Sequence, residues 1–226
     1  MVYELLRSVL LDPFAIMNSV GLVAFALVGA AKAIREEFDL FGITVVGLVT
    51  AFVGGATRDV LVGRIPLALS SMGEITLGMV GVSLAVALHL VLDSPDDHPI
   101  TVVSDAIGLA AFTTAGAIVA VETGVSSFGV VAIATINAVG GGAFADILLD
   151  RSPFILVTDF YASCAVLGGT TYWLLAVAFG AGSVAAALCA AVTVGTRLYA
   201  VRFGLHLPTA QSVGAAVGGR FGNGSK

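Results

Sequence analysis

Ionisable side chains are scarce in this chain, and a few stand where a charge is costly. Arg58-Asp59 follows the pair Gly54-Gly55, and Asp146 follows the run Gly140-Gly141-Gly142, both inside long apolar stretches. Asp105 lies near the start of another apolar stretch. A charge at bilayer depth usually faces an interior cavity or a partner, so these residues could line a wet path. They could equally cap helices or pair with one another. The glycines bear on the same choice, because irregular backbone survives in lipid only where protein buries it or water wets it. A break at the glycines would begin a new half-helix, whose free N–H groups favour a carboxylate in the first turn. Asp59 and Asp146 are expected in that position. Close helix packing through small residues is the other reading of the glycines.

Around these groups stand matched polar residues. Thr50 and Asn137 each lie one helical turn before a glycine cluster, and Asn18 and Asp105 sit early in their own apolar runs. Thr50 and Asn137 can line a path or bond across helices, and Asp105 can serve a cation route or cap its helix with Ser104. Arg64 and Arg151 come five residues after the aspartates, the wrong spacing for an i,i+4 pair. Both are expected to snorkel to headgroups. Glu74 and Glu122 read as interfacial, and Lys32 and Arg35 as inner-face charges. Cys164 and Cys189 read as small packing residues, and His89, His98 and His206 have no metal-ligand spacing. The sequence has no Ser-His-Asp set, His-Glu-x-x-His run or phosphate loop, so neither an enzyme nor a cofactor is expected.

The elements that must position these residues follow from composition. The chain has 226 residues, 58% hydrophobic and only 11% charged, and a mean hydropathy of +1.05. A soluble domain would carry roughly 25% charge to wet its surface. A net charge of −5 supplies no basic stripe for nucleic acid. Seven stretches are long enough to span a bilayer, near 13–34, 40–62, 73–92, 100–121, 127–149, 155–178 and 182–201. An acidic, proline-bearing turn at 93–99 separates the third from the fourth, and the Gly-rich end, 208–226, is expected to fray. No cleavable signal peptide stands out.

The chain also repeats itself. Asn18-Ser19-Val20-Gly21-Leu22-Val23-Ala24-Phe25 aligns without gaps on Asp105-Ala106-Ile107-Gly108-Leu109-Ala110-Ala111-Phe112, 87 positions later. The same offset carries Gly54-Gly55-Ala56 onto Gly141-Gly142-Ala143, Asp59 onto Asp146, Arg64 onto Arg151 and Pro66 onto Pro153. Each copy holds three spans, an odd number, so the second must enter the membrane in the opposite sense. The expected fold is an all-α membrane protein of seven transmembrane helices. It comprises two inverted three-helix repeats, about 13–92 and 100–178, and an extra helix at 182–201, with a special midplane role for glycine-interrupted spans two and five. Lys and Arg placement sets Arg7 and Arg64 against Lys32, Arg35, Arg151, Arg197, Arg202, Arg220 and Lys226, which puts the amino terminus outside and the carboxy terminus in the cytoplasm of a cell membrane.

The run Gly54-Gly55-Ala56-Thr57-Arg58-Asp59, with Arg64-Ile65-Pro66, resembles the Gly-Gly-Gly-x-x-Arg-Asp signature of prokaryotic trimeric intracellular cation (TRIC) channels. Gly140-Gly141-Gly142-Ala143-Phe144-Ala145-Asp146, with Arg151-Ser152-Pro153, resembles it a second time. The resemblance implies a homotrimer in the membrane lipid with one pore per protomer, between kinked second and fifth spans, passing potassium and sodium with potassium preferred. Carried onto this chain, Gly54, Gly55, Gly140, Gly141 and Gly142 would be hinges, with Arg58, Asp59 and Asp146 near the constriction. Val53 stands where a leading glycine is usual, Ala145 removes the second arginine, and Asn18 replaces an acid. The Lys-Glu-Val motif tied to phosphoinositide binding in animal members is absent. Related bacterial sequences also carry a glycine-transporter label, so a secondary transporter of a small solute is the rival expectation, and a structural subunit without flux is the third.

Overall fold

The computed structural model describes residues 12–91, 99–157, 160–180, 182–205 and 207. The expectations for the turn at 93–98 and for the end at 208–226 lie outside the described residues, as do Arg7, His98, His206, Arg220 and Lys226. The described helices are α1 (Pro13–Arg35), α2 (Leu40–Leu61), the single turn α3 (Leu67–Ser70), α4 (Met72–Val91), α5 (Pro99–Glu122), α6 (Ser127–Leu148), the single turn α7 (Phe154–Val157), α8 (Ala162–Phe179) and α9 (Gly182–Phe203). Seven of them are long and apolar enough to cross a membrane. The protein is an all-helical, multi-pass membrane protein.

Helix ends are written into the sequence and repeat with it. The Asp39 carboxylate accepts from Gly42 N–H at 2.8 Å to start α2, and the Ser126 hydroxyl, its counterpart, accepts from Gly129 N–H at 3.2 Å to start α6. Both caps satisfy an N–H group that the first helical turn leaves open. At the far ends, Arg64 N–H donates to the Asp59 carbonyl and Arg151 N–H to the Asp146 carbonyl, each at 2.8 Å. The residue preceding each arginine is left-handed, Gly63 at φ +72° and Asp150 at φ +53°, as a helix that closes on an i−5 bond requires. Only the sixth expected span is displaced. The apolar run that begins at Phe154 forms the separate turn α7, because Asp146 Oδ2 accepts from Phe154 N–H at 2.9 Å just after Pro153. The spanning helix α8 therefore begins at Ala162 rather than near 155.

The two copies pack about a pseudo-twofold axis. In the first, α1 packs on α2 and α4; in the second, α5 packs on α6 and α8; α1 meets α5 and α2 meets α6 across the axis. Phe25 and Phe112, equivalent residues, meet edge to face with ring centroids 5.2 Å apart. Each ring fills the space beside the other copy's glycine, Phe112 over Gly21 and Phe25 over Gly108. The seventh span, α9, has no counterpart and packs on α8 and α5.

The α2–α6 crossing corrects one expectation. Both helices remain helical through their glycine clusters, so no half-helix begins at mid-span and no N–H groups are freed there. The glycines instead permit contact between the two backbones. A Cβ on Gly54 would overlap the Asn137 carbonyl oxygen, and one on Gly141 would overlap that of Thr50. Gly140 faces Gly54 itself, whereas a Cβ on Gly142 would meet nothing within 4 Å. Gly54→Ala and Gly141→Ala should each lower stability by about 1–3 kcal/mol, the usual cost of overpacking. Gly142→Ala should be close to neutral in the same thermal unfolding series in detergent.

Candidate functional site

Two spaces flank the crossing among the described residues. On the side where α1 ends and α9 ends, a cavity of about 410 Å³ runs inward between the helices. Lys32, Arg35, Asp105, Asp146, Arg151 and Arg197 line it, and at its deep end lies Thr50, half-way along α2. On the opposite side, beyond the crossing, a space of about 10 Å³ is bounded by Gly55, Arg58, Asp59 and Glu74. One side is a vestibule and the other is nearly closed.

The two signature aspartates occupy the last turns of α2 and α6, and each serves two partners. Asp59 Oδ2 accepts from Leu67 N–H at 3.1 Å, while its Oδ1 accepts from Arg58 Nε at 2.8 Å. Asp146 Oδ2 accepts from Phe154 N–H, while its Oδ1 accepts from Lys32 Nζ at 2.7 Å. Neither carboxylate lies in the first turn of a mid-span half-helix; each instead accepts from the first N–H of the short helix α3 or α7. Arg58 is 1% exposed, with Phe14 packed 5.3 Å from its guanidinium carbon. Its position in the last turn of α2 also suits a cation next to unpaired carbonyls.

Asn18 and Asp105 are likewise matched. Asn18 Nδ2 donates to Glu74 Oε1 at 2.8 Å, and Tyr161 Oη donates to Asp105 Oδ1 at 2.9 Å. Glu74 and Tyr161 are themselves equivalent in the repeat, so one cross-helix bond has been built twice with different chemistry. Asp105 also accepts from Arg197 Nε and Nη2 at 3.3 Å. Arg197 lies 4.6 Å from the Tyr161 ring centroid and 5.6 Å from that of Phe154, favourable placements for a cation over an aromatic face. Asp105 is therefore a partner of the seventh span rather than the cap of the fourth.

Thr50 donates to the Val46 carbonyl at 2.7 Å. Asn137 reaches across to the α5 backbone, with Nδ2 donating to the Phe112 carbonyl at 2.5 Å. Among the described residues, Asn137 Oδ1, Arg58 Nη1 and Arg197 Nη1 are buried with no hydrogen-bond partner. Asn137 Oδ1 and Arg58 Nη2 both lie 3.8 Å from where a Gly55 side chain would begin, so the missing side chain leaves a polar gap beside the crossing.

Sequence reasoning passed over four residues of this constellation. Lys32 and Arg197 read as inner-face charges, Glu74 as interfacial, and Tyr161 carries no site reading in the sequence, yet all four bond the predicted site residues. The repeat held the signal for Glu74 and Tyr161, since they are equivalent positions bonded to the equivalent pair Asn18 and Asp105. Arg64 and Arg151 also take specific partners, Glu122 at 3.7 Å and Glu36, instead of anchoring to headgroups alone.

Known proteins share this plan. The family described as Glycine transporter matches the chain twice, over residues 15–90 and 102–177, which are offset by the same 87 positions as the repeat. The UPF0126 membrane protein YvgT of Bacillus subtilis is 37% identical over 155 residues, which are 68% of this chain and 76% of that protein. A solved structure of a TRIC cation channel, studied for its conductance, superposes with a TM-score of 0.79 at 32% identity and covers 86% of this chain and 95% of its own. The chain belongs to the TRIC family. A second TRIC structure, from Rhodobacter sphaeroides, superposes with a TM-score of 0.76 at 26% identity over 85% of this chain and 98% of its own. The TRIC signature thus falls at the α2–α6 crossing and in the last turns of both helices.

The two aspartates differ in what their loss would leave behind. Asp59→Asn would strand Arg58 in the protein interior, where an unpaired charge costs about 3–5 kcal/mol. Asp146→Asn would release Lys32, whose side chain is 25% exposed and can turn into the vestibule. Thermal unfolding should therefore show Asp59→Asn to be the more damaging by a clear margin.

Proposed function

We propose that the protein is a cation channel, with a pore in each protomer of a homotrimer running between α2 and α6. The observation that carries this reading is the vestibule of about 410 Å³ that ends at Thr50 against the α2–α6 crossing. Likeness to solved TRIC cation channels supports it. From the vestibule a permeating ion would pass Asp105 and Asp146, then the Thr50 hydroxyl, then the buried Asn137 side-chain oxygen Oδ1 beside Gly55. Arg58 and Asp59 would close the far side. A space of about 10 Å³ there holds little more than one water, so this conformation is shut at that end. Gly54, Gly140 and Gly141 would set the separation of the pore helices, with Gly55 and Gly142 leaving room beside them.

The permeant ions we infer are monovalent, with potassium favoured over sodium. Hydroxyl, amide and carboxylate oxygens along the route would replace part of the hydration shell, but they do not form the stacked carbonyl rings that select potassium tightly. With Lys32, Arg35, Arg151 and Arg202 at the vestibule side, the positive-inside rule places that side in the cytoplasm, with the carboxy terminus, and the amino terminus outside. Secondary transport of a small solute such as glycine is the second reading, favoured by the description of the matching family. Purified protein in planar bilayers should give unitary currents in potassium and smaller ones in sodium. Slow, saturable glycine uptake driven by an ion gradient, without unitary currents, would refute the channel. Arg58→Gln should change the shape of the current–voltage relation, and an unaltered curve from folded protein would remove Arg58 from the pore.

A further inference from the structure

The internal repeat places Arg58-Asp59 on Ala145-Asp146, so the second copy has kept its carboxylate and lost the cation beside it. The carboxylate is not left alone. Lys32, from the first helix of the other copy, donates to Asp146 Oδ1 at 2.7 Å, the oxygen equivalent to the one that binds Arg58 in the first copy. The position equivalent to Lys32 in the second copy is Val119, so the exchange is one-sided. The two couples also differ physically. Arg58 and Asp59 are neighbours on one helix and almost fully buried, with side chains 1% and 4% exposed. Lys32 reaches between helices, holds Asp146 from the vestibule wall and is 25% exposed.

We propose that Lys32 is the second pore cation of this protein, supplied by α1 of the other repeat in place of an arginine at 145, and that it is the displaceable one. A lysine is a compact charge on a flexible stem that binds a carboxylate at a single point, unlike the planar guanidinium fork. A cation entering the vestibule competes with Nζ for Asp146 Oδ1. When Lys32 swings into the wet space, Asp146 becomes an ion-facing carboxylate and still holds Phe154 N–H through Oδ2. The Arg58 couple has no such space and remains fixed. The vestibule mouth is thus tuned by a tethered ammonium, with Arg35, Arg151 and the Arg197–Asp105 pair on its other walls.

This inference rests on the channel reading, and the test separates the two. Full-length wild type, Lys32→Gln and Lys32→Arg would be recorded in planar bilayers at low and high potassium chloride. Lys32→Gln should raise unitary potassium conductance roughly twofold at low salt, because removing a like charge raises the local cation concentration. The difference should shrink at high salt through screening, and Lys32→Arg, whose fork can hold the carboxylate at two points, should conduct less than wild type at low salt. Thermal unfolding of Lys32→Gln, Asp146→Asn and the double variant should show coupling, with the double variant no less stable than Asp146→Asn alone. Wild-type currents with unchanged conductance in Lys32→Gln would overturn displaceability and leave a structural tie. Higher conductance with strictly additive melting shifts would overturn the pairing with Asp146. If wild type carries no current, the channel reading falls separately, and additive melting would then sink the pairing as well.

Discussion

The fold hangs on two main chains that touch in the middle of the bundle with no side chain between them. Gly54 rests on the carbonyl of Asn137, and Gly141 on that of Thr50. Hydrogen-bonded helices can approach this closely only where Cβ atoms are missing, and in lipid such contacts replace the hydrophobic drive that holds soluble helices together. The contact is reciprocal because the two copies are inverted, so it fixes both helices at once. It also fixes Thr50 and Asn137 on either side of the crossing, and it sets where the vestibule must stop. The aromatic contact between Phe25 and Phe112 does the same for α1 and α5. Around these two crossings the remaining helices need only cover.

Charge is managed by giving each buried ion more than one partner. Asp59 and Asp146 each hold a cation with one oxygen and start a short helix with the other. Arg197 is bonded by Asp105 and flanked by two aromatic rings. Bonds of this kind offset part of the large desolvation penalty of an interior ion. They also tie loops to helices, so the short turns α3 and α7 are held by the same carboxylates that the signature places in the last turns of α2 and α6.

Much of this was legible in the residues. Apolar runs located the spans because a bilayer demands about 20 apolar residues in series. A fixed offset of 87 revealed the inverted copies, because glycine, acid, base and proline recurred in register. Partners were harder to read. Lys32 and Arg197 look like inner-face charges because sequence gives depth but not facing, and their carboxylates lie more than 90 positions away. The glycines were legible as special yet open between two mechanisms, a broken helix and a close crossing. Both need a missing Cβ, and only the identity of the opposing atom separates them. The start of α8 was misplaced because Phe154 to Val157 is as apolar as a span, while the bond that detaches it comes from Asp146.

The lopsided interior has an electrical consequence. Once wetted, a wide vestibule carries the potential of its own compartment down to Thr50, so little of a transmembrane voltage falls along it. In a channel of this shape most of the drop would fall across the septum between Thr50 and the opposite face, where Arg58 sits. A unit charge crossing the full potential is worth about 2.3 kcal/mol per 100 mV. Even a small displacement of the guanidinium along the focused field would therefore exchange an appreciable part of that energy.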